Sequence, residues 1–506
     1  MNAEADLAAP LRLSGRLHPW TLAFGLFAVA RQMLIPLLYW VFSGFGSFGA
    51  LLVLVFGVPN LLLVIARYWS FRYRVEADEL VIEQGIVRRR ERHIPLANIQ
   101  EIRLEQNLVQ RWLGVARADV ETSTGGGVEA SLAVLATADI ARLRQSVFGT
   151  RASVAPTATP HAATETPLLA LRPRELLIAG LTSNSVFTLF VALGALFRFA
   201  EEWLPEAGRR AVWRAVIEVT QALGGRSVLA TTLTLTFWIG VLLLSSAALS
   251  ALLSLARLYD FRLTRHGTSL RRTYGLFTRH VSNLSPARIQ VITVEQTLLQ
   301  RLFGWAALRV DVAGVAYERD EEWQGRGLLA PLVRRDAVEN LLPCFLEGCA
   351  LDASAWRSVS PLAFRRGVVR RSIWLLLATA AAFWWWSWSY GWLPLLSFPA
   401  LVLVSWLDYR AWGYLAAPDY WFVRRGWANR VIYAVPVRNI QTVVVTQTPF
   451  DRRLGLATLI LDTAGPTPVV IRNVPVADAE ALGGRVARAA ESWCVSVADP
   501  AHPQSP

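Results

Sequence analysis

One segment occurs three times in this chain, and that recurrence restricts the fold more than any other feature. The copies are IPLANIQEIRLEQNLVQRWLG ending at Gly114, LSPARIQVITVEQTLLQRLFG ending at Gly304, and VPVRNIQTVVVTQTPFDRRLG ending at Gly455. With the Ile-Gln pair as origin (Ile99-Gln100, Ile289-Gln290, Ile440-Gln441), they align without a gap. A second Gln follows at plus seven (Gln106, Gln296, Gln447), an Arg at plus twelve (Arg111, Arg301, Arg452) and a Gly at plus fifteen (Gly114, Gly304, Gly455). Another Gly stands at minus fourteen (Gly85, Gly275, Gly426), and an acid at plus twenty-two (Glu121, Asp311, Asp462). Fixed spacing of this kind marks a repeat architecture.

Each copy follows a pair of apolar stretches. The six stretches are Trp20–Phe42, Phe48–Ala66, Leu176–Phe199, Val228–Ala256, Ile373–Tyr390 and Trp392–Leu407. About twenty apolar residues cross a bilayer core, so they read as three transmembrane hairpins. The last two stretches are short and separated by one Gly, so the third hairpin reads equally as a re-entrant pair. A composition with 54% hydrophobic residues and 21 Trp agrees with a membrane protein. The expected organisation is hairpin 20–66, domain 68–149, linker 150–167, hairpin 176–256, domain 258–350, hairpin 372–408 and domain 410–495. The linker, TRASVAPTATPHAATETP, is rich in Ala, Thr and Pro. A basic lead precedes each hairpin: LRLSGRLHP, LRPRE and PLAFRRGVVRR.

The chain contains no Lys, so all 51 basic residues are Arg, and the formal net charge is +13. Arg residues collect in the leads and at the starts of the soluble domains. The first and third hairpin loops are uncharged, and the middle loop balances its charges. By the positive-inside rule, both termini and all three domains face the cytoplasm of a bacterial inner membrane.

The soluble segments alternate polar and apolar residues between Gly and Pro, as short antiparallel strands do. A helical pattern closes each copy, from Thr137, Arg334 and Val476. Strands followed by one amphipathic helix predict three small barrels, each closed by its C-terminal helix.

Few residues suggest chemistry. Gln is neither nucleophile nor base, and recurrence in every copy favours a structural role for the motif over ligand binding. Arg88, Arg89, Arg90 and Arg92, in RRRER, read as lipid-phosphate contacts or as a solvated basic face; only the first copy has them. Arg31 lies inside the first apolar stretch and is a candidate membrane-cavity residue. GFGSFG at Gly44–Gly49 matches a nucleotide-loop pattern but joins two membrane stretches, so its glycines serve a tight turn. Cys344, Cys349 and Cys494 form no disulfide framework, and no metal-ligand spacing or catalytic constellation is present. No cofactor, metal or nucleic acid is expected, and the chain does not read as an enzyme.

The Gly85–Gly114 block with Pro95, Ile99, Gln100, Gln106 and Arg111, its two equivalents, and the RLHP lead at Arg16–Pro19 resemble the bacterial pleckstrin-homology-like (PH-like) domain of the YdbS/YdbT family of membrane proteins. The layout of three hairpins with three such domains resembles the longer, YdbT-type members. The third copy departs, with Gly413 where the others have Arg72 and Arg262. The resemblance implies a curved antiparallel β-structure capped by a helix. It also implies a partner: a smaller membrane protein with one such domain. Membrane lipid and self-association are further expected contacts. The reading is an assembly platform, with a transport or export role (peptide, toxin or lipid) as the alternative and lipid-headgroup recognition third.

Overall fold

The computed structural model describes residues 13–143, 166–203, 228–313, 327–349, 356–386 and 391–485, less 43, 45, 77–78, 86–87, 123–127, 184 and 267–268, together with scattered positions between 206 and 218. Most of the linker at 150–167, Cys494 and the side chain of Gln100 lie outside the described residues.

Each repeat contains seven strands. The first has β1 (Leu13–Arg16), β2 (Arg72–Glu76), β3 (Glu79–Gln84), β4 (Arg90–Pro95), β5 (Ile99–Asn107), β6 (Val115–Thr122) and β7 (Val128–Ala136). The second has β8 (Thr166–Ala170), β9 (Arg262–His266), β10 (Ser269–Tyr274), β11 (Thr278–Leu284), β12 (Ile289–Gln296), β13 (Trp305–Val312) and β14 (Leu328–Arg334). The third has β15 (Arg357–Ser358), β16 (Gly413–Ala416), β17 (Tyr420–Arg425), β18 (Arg430–Pro436), β19 (Ile440–Thr446), β20 (Leu456–Thr463) and β21 (Val469–Pro475). The apolar helices are inserted between the first and second strands of each repeat. The basic lead is therefore part of a sheet: β1 pairs with β2, and β15 with β16.

Among the described residues, no sheet closes into the expected barrels. The strands make four open sheets, ordered β1-β2-β3-β4, β7-β6-β5-β11-β10-β9-β8, β14-β13-β12-β18-β17-β16-β15 and β19-β20-β21. The chain divides into two compact units, Met1–Leu168 with Arg262–Ser285, and Leu169–Phe261 with Pro286–Pro506. The division falls inside the second repeat, between β11 and β12. In the first two repeats the strand that carries the bulge, β5 or β12, pairs outward, onto a strand of the following repeat.

Within the first unit, two sheets pack face to face. Leu80 and Ile82 of β3 meet Ile99 and Ile102 of β5, Val120 of β6 and Leu132 of β7. Ile140 and Leu143 seal this core from a helix at 137–143. Within the second unit, Val423 and Val435 meet Leu459, Leu461 and Ile471, and Ala479 and Leu482 of a helix at 476–485 complete the core. Each fully buried Leu or Ile contributes about 1.5–3 kcal/mol. Cys349 is also fully buried, and burial pushes its thiol up to about 12. The folded state therefore holds the proton at pH values where an unfolded chain releases it. Its contribution is complete below the ordinary thiol range and is lost as pH rises toward 12. Maleimide at pH 8 should label Cys349 only after denaturation; rapid labelling of the native protein would contradict this burial.

The six apolar stretches differ in helical continuity. Three helices are long and apolar enough to cross a bilayer: α3 (Ser47–Ser70), most of α6 (Val228–Leu258) and α7 (Leu362–Trp386). Two further stretches are broken. Trp20–Phe42 splits into α1 (Trp20–Gln32) and α2 (Leu34–Phe42), bent by 47°. Pro36 explains the break, because its ring opposes the carbonyl four residues earlier, that of Gln32. Leu176–Phe199 splits into α4 (Pro173–Leu181) and α5 (Ser185–Trp203), bent by 64°. Thr182 Oγ1 donates to the Ile178 carbonyl (2.7 Å) and Ser250 Oγ of α6 donates to that of Gly180 (2.7 Å). The Ile178 carbonyl also accepts the Thr182 amide (2.9 Å) and that of Gly180 also accepts Ser183 Oγ (2.9 Å), so hydroxyls gather on the carbonyls where α4 ends. Counting each bent pair as one span brings the total to five among the described residues. The stretch Trp392–Leu407 forms a 3-10 turn at Leu393–Ser397 that runs directly into α8 (Phe398–Ala411), whose 14 residues by themselves cover about 21 Å.

Candidate functional site: junctions between like repeats

The repeated residues build the same local structure three times. At minus fourteen, Gly85, Gly275 and Gly426 turn a hairpin with φ of +100°, +114° and +84°. A Cβ there would lie 2.2, 1.9 and 2.0 Å from the carbonyl oxygen three residues on. The Ile at the origin is buried in each copy, at 0%, 1% and 6% exposure. The Gln after it is the extra residue of a β-bulge, since the register slips between Ile99 and Glu101, Ile289 and Val291, and Ile440 and Thr442. The acids at plus twenty-two sit opposite the residue that follows each bulge.

The plus-seven Gln has one role throughout. Gln106 Nε2 donates to the Val115 carbonyl (2.8 Å), Gln296 to that of Trp305 (3.1 Å) and Gln447 to that of Leu456 (2.9 Å). The next residue caps a short helix through a reciprocal box: Asn107 with Gln110, Thr297 with Gln300, Thr448 with Asp451. The plus-fifteen Gly then offers its carbonyl to the first amide of the closing helix. Thr137, Arg335 and Val476 donate to Gly114, Gly304 and Gly455 at 3.0, 2.9 and 3.1 Å.

Between repeats, β5 pairs antiparallel with β11 in the first unit and β12 with β18 in the second. Gln106 faces Arg279, Glu105 faces His280, and Leu104 faces Val281. Gln296 faces Arg430, Glu295 faces Val431, and Val294 faces Ile432. In repeat coordinates these are the same pairs: plus seven with minus ten, plus six with minus nine, plus five with minus eight. At the first junction the His280 and Glu105 side chains approach to 3.5 Å. At the second, Arg301, the plus-twelve residue, donates to the Trp427 carbonyl of the next repeat (2.6 Å), and Asn439 Nδ2 donates to that of Ile289 (2.7 Å). Val291 of the second repeat joins the buried core of the third.

Burial reports the junction directly. In β12, flanked on both sides, Gln290 is buried, and so are the five residues after the origin. In β19 the same positions are mostly exposed, Gln441 included. Among the described residues, no strand pairs with the outer edge of β19 or of β4.

A cleft of about 460 Å³ lies at the foot of α6. It is lined by Ser183, Ser254, Arg257, Gln300, Arg309 and Arg430, among others. Burial, with Arg301, Arg424 and Arg335 nearby, pushes Arg430 down to about 10. A smaller cleft of about 210 Å³ uses the same repeat positions in the third copy, from Thr446 to Thr458. There α7 is tied to the repeat: Arg366 Nη1 donates to Asp451 Oδ1 and to Asn473 Oδ1, and Arg371 bonds Asp408 and Ser405 of α8. The spacing argument missed Arg366 and Asp451, because Asp451 takes the place of Gln110 and Gln300 and so lies outside the shared pattern. Arg366 and Arg371 belong to the basic lead PLAFRRGVVRR, which pointed to orientation rather than to these bonds.

Arg31 is exposed on the last turn of α1 and lines neither cleft. Its cation suits a helix C-terminus. Arg88, Arg89, Arg90 and Arg92 are exposed along β4 and the turn before it. Among the described residues, no three His, Cys, Asp or Glu side chains gather as a metal site.

The bacterial PH domain family matches the chain three times, at residues 22–150, 216–342 and 371–490. The UPF0699 transmembrane protein YdbT of Bacillus subtilis (strain 168) is 22% identical over 431 residues, covering 82% of this chain and 84% of that protein. No solved structure matches the chain. Three matches over most of the length, on three copies of one strand-bulge-helix unit, show that this chain is a membrane protein belonging to the bacterial PH domain family and carrying the domain as repeats.

Proposed function

We propose that this protein is a non-enzymatic assembly platform of the bacterial inner membrane, with its three PH-like domains on the cytoplasmic side. Its partner is a smaller membrane protein of the same domain class. One observation carries the reading: like repeats dock by strand addition, twice, in one register. A surface that recognises its own kind within the chain is suited to recognise it between chains. The Arg distribution supports the cytoplasmic placement. Transport ranks second, because Arg31 is exposed and is the one clear ionisable candidate that the apolar stretches offer. Lipid recognition through Arg88–Arg92 ranks third, because the other repeats lack the cluster.

The test is purification of the tagged protein from native membranes in mild detergent, with mass spectrometry of what is retained. A stoichiometric small membrane protein carrying one bacterial PH domain is expected. Recovery of the chain alone, with a defined lipid or peptide, would replace this reading with transport.

A further inference from the structure

We infer that the outer edge of β19 is the docking surface for that partner, and that it takes a strand of the repeat's own minus-ten to minus-seven type from a separate chain. The inference rests on the platform reading and specifies where the platform is used. Both built junctions follow one pairing rule. Applied to β19, the rule places Gln447 opposite position minus ten, Thr446 opposite minus nine, Val445 opposite minus eight and Val444 opposite minus seven. The built junctions have Arg279 and Arg430 at minus ten, and Val281 and Ile432 at minus eight. The incoming strand should therefore carry Arg opposite Gln447 and a branched aliphatic residue opposite Val445.

β19 has the chemistry of a receiving strand. Its sequence IQTVVVT matches the β-branched character of IQVITVEQ in β12. Val444 and Val445 are each 40% exposed. A flat, β-branched, unpaired edge invites strand addition.

The chain's own β4 is a poor occupant, which argues against a head-to-tail second copy. β4 presents Arg90, Glu91, Arg92 and His93 where the built junctions have His280 to Asn283 and Val431 to Ala434. Its Glu91 would face Val445. That carboxylate already bonds Arg74 (2.8 Å), which also bonds Glu83 (2.8 Å), and Glu83 bonds Arg89 (2.5 Å). Burying this network against valines would strip its water without a new counter-charge. Charged edges of this kind block pairing. The two ends of the strand pattern are thus unlike: one protected, one receptive.

Benzoylphenylalanine replaces Val444 in the full chain in native membranes, and the product of irradiation is sequenced. The expected crosslink joins a separate chain, within the strand preceding that chain's own PH-repeat bulge. A crosslink to residues 486–506 of this chain, to either edge of a second copy, to lipid only, or to nothing overturns the inference. The same probe at Arg90 should not reach that partner. In the co-purification, Val445→Arg should lower partner recovery at least about tenfold, the effect of a 1.4 kcal/mol loss, while thermal stability stays near wild type. Full recovery with Val445→Arg would leave the platform reading intact and remove β19 from it. Absence of a partner from the unmodified protein would remove the platform reading itself.

Discussion

Gly275→Ala should destabilise the purified protein by about 3 kcal/mol and selectively open the junction between the first two repeats. The backbone at Gly275 has φ +114°, a region that costs an L-residue about 1–3 kcal/mol. The added Cβ would also stand 1.9 Å from the Thr278 carbonyl oxygen. That oxygen belongs to backbone at the start of β11, so no side-chain rotation relieves the clash. β11 is the strand that pairs with β5, so a displaced hairpin disturbs the Gln106–Arg279 end of the register first. Thermal denaturation in detergent measures the loss, and limited proteolysis locates it. Gly304→Ala is the matched comparison. Its φ is +69° and nothing lies within 4 Å of an added Cβ, so its cost should be only about 1–2 kcal/mol. Equal effects at the two sites would mean that the clash is relieved at little cost and that the shared hairpin Gly is not dictated by sterics.

The second large effect is expected at Asp451. Its side chain is almost wholly buried and accepts a bond from Arg366 of α7. It also closes the capping box, accepting from the Thr448 amide (3.0 Å) and from Thr448 Oγ1 (2.7 Å). Asp451→Ala leaves a guanidinium facing a buried site with Asn473 alone, among the described residues, to meet it, and leaves the Thr448 amide without its side-chain acceptor. Removing one partner of a buried pair costs about 3–5 kcal/mol; Arg366 is about one-third exposed, so the lower end applies. Asp451→Gln, which restores the residue type found at Gln110 and Gln300, should recover the box and part of the loss. The measurement is thermal stability of the three proteins, with cysteine accessibility at the foot of α7 as a local readout. If Asp451→Ala were neutral, the link between the membrane helix and its PH-like domain would lie elsewhere.

The repeat, its register and its membrane character were legible from spacing and hydropathy alone. Gly at minus fourteen and plus fifteen marked turns at positive φ, which a residue without Cβ adopts at least cost. The buried Ile at the origin and the Gln at plus seven marked one structural unit, because a bulge and a bond to a backbone carbonyl depend on local chain geometry that identical residues reproduce. The family followed from the same residues. Hydropathy also located the apolar helices, but not their integrity. Pro36 and the hydroxyls of Thr182 and Ser250 act on individual carbonyls, which a window average does not register.

What only the tertiary structure decided is where the strands pair. A strand pattern specifies which residues face a core, but says nothing about which chain segment lies beside each edge. The barrels anticipated from short strands and a closing helix need each repeat to pair with itself. Here β5 and β12 pair with the following repeat instead, so each described core lies between two sheets rather than inside one. The same cause separates identical motifs by environment. Gln290 is buried against the third repeat, where Gly465 packs on it and Asn439 bonds the Ile289 carbonyl beside it, whereas Gln441, in the same motif, is exposed on a strand with no neighbour on its outer edge among the described residues.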